Sequence, residues 1–147
     1  MTHIEFFKLQ AKNLFKDYKT KTSVFDKELN VYYYEYTPQY FDVAAIFLDY
    51  DVDEDNFTLM NAQHLIAKIA GFFKWNDMVN ANDHELELAK LLFDNQHKVS
   101  ADDWHMYLNM TQRDNKVIFD SETRLEIFTM VFVNQEGHDP LFQDYRL

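Results

Sequence analysis

The chain has 147 residues, of which 47% are hydrophobic and 17% aromatic, enough apolar material to pack one domain's core. Fourteen basic against 25 acidic residues leave a formal charge of −11, and there are two glycines, two prolines and no cysteine. This excludes disulfides and thiolate chemistry, disfavours a turn-rich sandwich or barrel, and favours helices joined by short links.

Thr2 to Tyr18 reads as an amphipathic helix, because Phe7, Ala11, Leu14 and Tyr18 recur at three- and four-residue steps. Lys8, Lys12, Lys16 and Lys19 share another face, read as the solvated side. Residues 20–57 are harder to read. Val31-Tyr32-Tyr33-Tyr34-Glu35-Tyr36 has the composition of a strand. Thr37-Pro38 can open a helix over 38–49, but Phe41, Val43, Ala45 and Phe47 also alternate, so a hairpin turning near Pro38 competes.

The following helices are marked by their caps. Thr58 with Asn61 opens one whose buried stripe is Leu65, Ile66, Ile69 and Ala70, closed by Gly71, with Phe72 and Trp75 folding back as anchors. Asn82 with Glu85 opens a helix to about Gln96, and Ser100 with Asp103 another that buries Trp104, Tyr107 and Leu108. Asp120 or Ser121 opens the last, through Phe128 and Phe132 to Gly137. It is apolar on most faces and is expected to be central. The tail, 138–147, is either a docked arm or a partner-binding peptide. The expected architecture is one mainly α domain of about five or six helices, with an irregular aromatic-rich insertion and room for a short β-hairpin within 31–48.

Charge is unevenly distributed. Residues 1–30 carry six lysines against four acidic groups, and residues 31–147 carry eight basic against 21 acidic groups. A body this negative repels phosphate backbones, which argues against direct nucleic-acid binding. No stretch reads as a membrane span or a leader, so a cytoplasmic location with no membrane contact is expected.

Two runs resemble a known family. Glu5 to Leu14, EFFKLQAKNL, is similar to the opening "KxQAKxL" helix of the small bacterial glyoxalase-related helical domain. Thr58 to Met78 is similar to its second signature, "QAxxxIAxxxGFxxWNxL", with Met78 in place of a leucine and His64 where glutamate is common. The resemblance implies a bacterial source and a helical core made of 1–19 and 58–80, with 20–57 as an insertion and 82–136 as further helices. It implies no catalytic residue, because every part of the pattern caps or packs.

Several constellations could carry chemistry. Asp49-x-Asp51-x-Asp53-x-Asp55 is spaced like the start of an EF-hand loop, yet either register lacks the final bidentate glutamate, and one also lacks the turn residue. An acidic linker is the plainer reading. Asp94-x-x-His97 and Asp102-x-x-His105 put a carboxylate and an imidazole on one helix face, the spacing of di-metal bundles. Their positions at a helix end and a helix start also suit capping and the helix dipole. Ser23, Ser100 and Ser121 lack a nucleophile elbow, and two glycines cannot build a phosphate loop.

The expected function is a non-catalytic protein-protein interaction module without a cofactor, binding a basic protein or a second copy of itself. Tyr32, Tyr34, Tyr36 and the run Asp49, Asp51, Asp53 and Asp55 are the expected contact residues, since they combine amphipathic area with charge. The alternatives are a metal-dependent enzyme using Asp94, His97, Asp102 and His105, and an acidic nucleic-acid mimic that inhibits a DNA-binding protein.

Overall fold

In the computed structural model, which describes residues 1–139 and 144–147, the chain opens with α1 (His3–Tyr18). Its capping box is complete: the Thr2 hydroxyl accepts the Glu5 N–H, and the Glu5 carboxylate accepts the Thr2 N–H. Phe7, Ala11, Leu14 and Tyr18 are buried as their spacing requires, and the four lysines lie on the solvent side.

An antiparallel hairpin follows, β1 (Thr22–Asp26) and β2 (Val31–Glu35), paired from Thr22↔Glu35 to Asp26↔Val31. The strand composition of Val31–Glu35 thus finds a partner, but upstream rather than beyond Pro38. The turn is built by Asp26, whose Oδ1 accepts the N–H of Glu28 and Leu29, and by Asn30, which takes a left-handed φ of 54°.

The helix expected over 38–49 begins later, as α2 (Val43–Asp49) with Asp42 as its cap. Residues 39–41 are held instead by Asp17 at the end of α1. Its carboxylate accepts the backbone N–H of Gln39 at 2.9 Å and those of Tyr40 and Phe41 at 2.8 Å each. With three successive amides drawn onto Asp17, residues 39–41 form a strap across the end of α1, and α2 opens after it under its own cap, Asp42.

α3 (Leu59–Ile69) carries the expected Thr58–Asn61 capping box. It ends in a Schellman motif, the Gly71 N–H donating to Lys68 and the Phe72 N–H to Ala67. Gly71 sits at φ 100°, and a Cβ there would lie 3.0 Å from Leu92 Cδ2. A short helix, α4 (Trp75–Val79), follows, its first N–H held by His64 Nδ1 at 3.1 Å. Then come α5 (Asp83–Asp94), α6 (Ala101–Asn115) and α7 (Ser121–Phe128), the last continued by a π-helical turn over Thr129–Val133. The fold is therefore mainly α with one small hairpin. The helix beyond the expected six is α4, in a stretch where the sequence shows only two aromatic anchors.

Two apolar clusters meet on α5. α1 packs along α3, and with α2 and one face of α5 it encloses the first cluster, where the Phe93 ring makes edge-on contacts with Phe6, Phe7 and Phe41 at 5.6–6.3 Å. Leu92, the preceding residue, enters the second cluster with Val99, Trp104, Leu108, Phe128 and Phe132. α7 packs on α5 at the periphery, and of its continuous helical stretch only Phe128 and Phe132 are buried. The expectation of a central last helix is corrected: its other apolar residues are half-buried, or exposed as at Met130, and the helix ends at Val133. The central place belongs to α1, α3 and α5.

Of the tail, residues 144–147 are docked. Tyr145 is buried, its carbonyl accepts the Asp42 N–H at 2.8 Å, and the Leu147 N–H donates to Tyr40 at 3.0 Å. Residues 140–143, which include Pro140, lie outside the described residues.

Candidate functional site

Period-two alternation places Tyr32, Tyr34 and Tyr36 on one face of the hairpin, graded from its tip to its base. Tyr32, opposite Phe25 with ring centroids 4.9 Å apart, is 73% exposed. Tyr34 is half-buried and donates its hydroxyl to Asp55 Oδ1 at 2.6 Å, while the Lys21 ammonium lies 4.5 Å from its ring centroid. Tyr36, one residue past β2, packs its ring edge-on against Phe47 in the first cluster. Burial, then the neighbouring Glu54 carboxylate, push the Tyr36 hydroxyl's pKa well up, and that hydroxyl closes no hydrogen bond of good geometry. Tyr36 is therefore part-buried against the edge of the first cluster, and Phe25 stands beside Tyr32 on the exposed face.

The hairpin carries further apolar side chains at its surface, among polar ones such as Lys27, Glu28 and Glu35. Phe25, Leu29, Val31, Tyr32 and Tyr33 are all at least 40% exposed. A two-stranded ribbon is marginally stable alone. Here it is tied to the body at its base, where the Lys21 ammonium donates to the Tyr18 hydroxyl at 2.8 Å and to the Glu54 carbonyl at 2.9 Å.

The four aspartates of the acidic run take four different settings. Asp55 receives Tyr34, as above. Asp53 caps a local turn, accepting the Asp55 N–H and the Asn56 side-chain amide, and these hydrogen bonds, the Asn56 one foremost, hold its carboxyl below the usual carboxylate range. Asp51 takes a left-handed φ of 51°. Asp49, at the end of α2, accepts the Tyr145 hydroxyl at 2.6 Å. The loop thus runs from the hairpin at Asp55 to a pocket at Asp49.

That pocket, about 370 Å³, lies where α2, α3, α6 and the docked C-terminus meet. It collects Asp49, Asp102 and His105 from the candidates read in the sequence, and adds Tyr50, Phe72 and Tyr145, which the sequence did not single out as site residues. The two carboxylate–histidine pairs do not join. Asp94 is ion-paired with Lys90 one turn earlier, and His97 Nδ1 lies 3.4 Å from the Arg146 guanidinium, so both face the C-terminal arm or their own helix. Among the described residues, no group of three or more histidine and carboxylate side chains is placed to hold a metal ion.

No helix of the described residues is long and apolar enough to cross a membrane. No family model, no curated protein and no solved structure matches this chain. The resemblance to the glyoxalase-related helical domain rests on the sequence of residues 5–14 and 58–78 alone, with Gly71-Phe72-x-x-Trp75-Asn76 as its core. In the structure, Gly71 closes α3, Phe72 supplies a Schellman amide, and Trp75 opens α4.

Proposed function

We propose that this chain is a non-catalytic protein-binding module whose contact surface is the tip and outer face of the β1–β2 hairpin with the adjoining Asp51–Asp55 loop. One observation carries the reading: Phe25 and Tyr32 stand exposed side by side on one face of the ribbon, Val31 and Tyr33 on the other, and Leu29 at the turn, so the hairpin tip presents large apolar side chains on both sides. Exposed apolar area of this kind is what partner surfaces cover. Tyr32 and Phe25 have the composition of anchoring contacts, and the neighbouring carboxylates favour a basic protein as partner by steering its approach.

The test is a photo-crosslinking amino acid at position 32 in the full chain expressed in cells, with position 87 on the exposed face of α5 as reference. The expected result is one dominant adduct with a basic protein, formed from position 32 alone and lost when Phe25→Ser is added or when Asp53 and Asp55 become asparagine. Equal adducts from both positions, or none, overturn the proposal. An adduct at twice the chain's own mass replaces the basic partner with a second copy.

A further inference from the structure

The pocket at the end of α2 has a composition that the hairpin surface does not explain. Its volume, about 370 Å³, falls in the range of small-molecule sites. Four aromatic side chains line it: Tyr50, Tyr145, Phe72 and Phe73, the last 82% exposed at the mouth. The two tyrosine rings stand 6.0 Å apart and tilted by 57°, so they form a corner rather than a stack. Two carboxylates share the space. Asp49 is fixed by the Tyr145 hydroxyl, and Asp102 stands in the first turn of α6 with its side chain open to solvent.

The carboxylates and the phenols sense one another. Burial pushes the Tyr50 hydroxyl up to about 12, and the charges that add to the shift are those of Asp102 and Asp49. The same two carboxylates act on Tyr145. Lys68 and His105 complete the charged and titratable lining, both with side chains open to solvent. A lysine stem at a rim swings its ammonium to bulk water at little cost, whereas Asp49 is held in place.

From this geometry we infer that the pocket binds an organic cation, a guanidinium or ammonium carried on a short apolar stem, seated between the tyrosine corner and the Asp49 and Asp102 carboxylates. Aromatic faces attract a cation through their quadrupole, and the attraction grows as water is displaced. The carboxylates supply the counter-charge and accept its N–H groups, and Phe72 and Phe73 cover the stem. Asp102 discriminates charge, because its carboxylate has no role in closing the fold beyond favouring the start of α6. A free amine and the side chain of a basic polypeptide offer the same chemistry, and the experiment separates them. The site is distinct from the hairpin surface, so each can fail without the other.

The test is an amide NMR titration of the full chain with three probes: agmatine, acetyl-arginine amide, and the neutral 1-pentanol. Saturable shifts confined to residues 49–50, 68–73, 96–105 and 145 are expected with the two cations. Preference for agmatine identifies a free amine as the natural ligand, and preference for the capped arginine identifies a polypeptide side chain. Asp102→Asn should weaken cation binding by about five- to tenfold with its spectrum otherwise retained, and Phe73→Ala should weaken it by about threefold. The inference is overturned if neither cation saturates by about 20 mM, if 1-pentanol binds as well as agmatine, or if Asp102→Asn leaves cation affinity unchanged.

Discussion

The carboxylate of Asp17, on the last turn of α1, accepts the backbone N–H of Phe41 at 2.8 Å across 24 residues of chain. With the amides of Gln39 and Tyr40 on the same carboxylate, it fixes the strap that leads from the hairpin into α2. Asp17 is 2% exposed, so these three donors replace the water that its charge has lost.

Asp17→Asn is therefore expected to destabilise the protein by about 2–4 kcal/mol, because an amide turns one acceptor into a donor facing N–H groups. Urea unfolding should show a lower midpoint at an unchanged slope, and amide exchange at 39–41 should rise ahead of the rest. Retention of the wild-type midpoint would mean that the strap is held by other contacts.

Gly71 and Gly137 provide a matched pair. Both have positive φ, 100° and 87°, but a Cβ on Gly71 meets Leu92 at 3.0 Å while one on Gly137 meets nothing within 4 Å. Gly137→Ala should cost about 1 kcal/mol from backbone strain, and Gly71→Ala about 2 kcal/mol or more, since Leu92 must also move within the second cluster. Equal costs in thermal unfolding would show that Leu92 yields freely.

Alkaline conditions should weaken the fold through Tyr50 and Tyr145. Burial raises both pKa values above their ordinary value near 10, Tyr50 to about 12. The folded state then retains phenolic protons that the unfolded chain releases. Stability is fully present below pH 10 and declines as pH rises from 10 towards 12. Tyr50→Phe and Tyr145→Phe should each flatten that decline, and Tyr145→Phe should also cost about 1–2 kcal/mol at neutral pH by removing the hydrogen bond to Asp49. An unchanged alkaline profile in the double variant would assign the effect elsewhere.

Lys21 joins the hairpin to the body through Tyr18, Tyr34 and Glu54. Lys21→Met should accelerate amide exchange in β1, β2 and residues 51–56 while lowering global stability by only about 1–2 kcal/mol, because the helical clusters are untouched. Exchange that stays slow in the hairpin would show that its strand pairing suffices.

How far the molecule is legible in the sequence depends on the range of the interactions. The capping boxes at Thr2, Thr58 and Asn82, and the caps at Ser100 and Asp120, appear where three-residue spacing places them, since a cap joins neighbours. The hairpin turn at Asp26 and Asn30 carried a local signal in its Asx chemistry that the weak strand character of Thr22–Asp26 obscured. The start of α2 carried none: Thr37-Pro38 is a sound helix opening that loses to a carboxylate 20 residues upstream. The pocket was half visible. Asp49, Asp102 and His105 stood out as chemistry, and Tyr50 follows Asp49 directly, but Tyr145 joins them only because the C-terminus folds back beside α2.

Taken by itself, the order of residues determined the helices, their caps and the apolar stripe that each buries, because those depend on spacings of three and four along one chain. Tertiary structure alone decided that Asp17 becomes a buried anchor, that α7 lies outside rather than at the centre, and that Asp49 meets Tyr145 across 96 residues. The physical reason is that a carboxylate's role follows from which N–H or O–H groups reach it. Those donors come from distant parts of the chain, brought within reach by the packing of the two apolar clusters on α5.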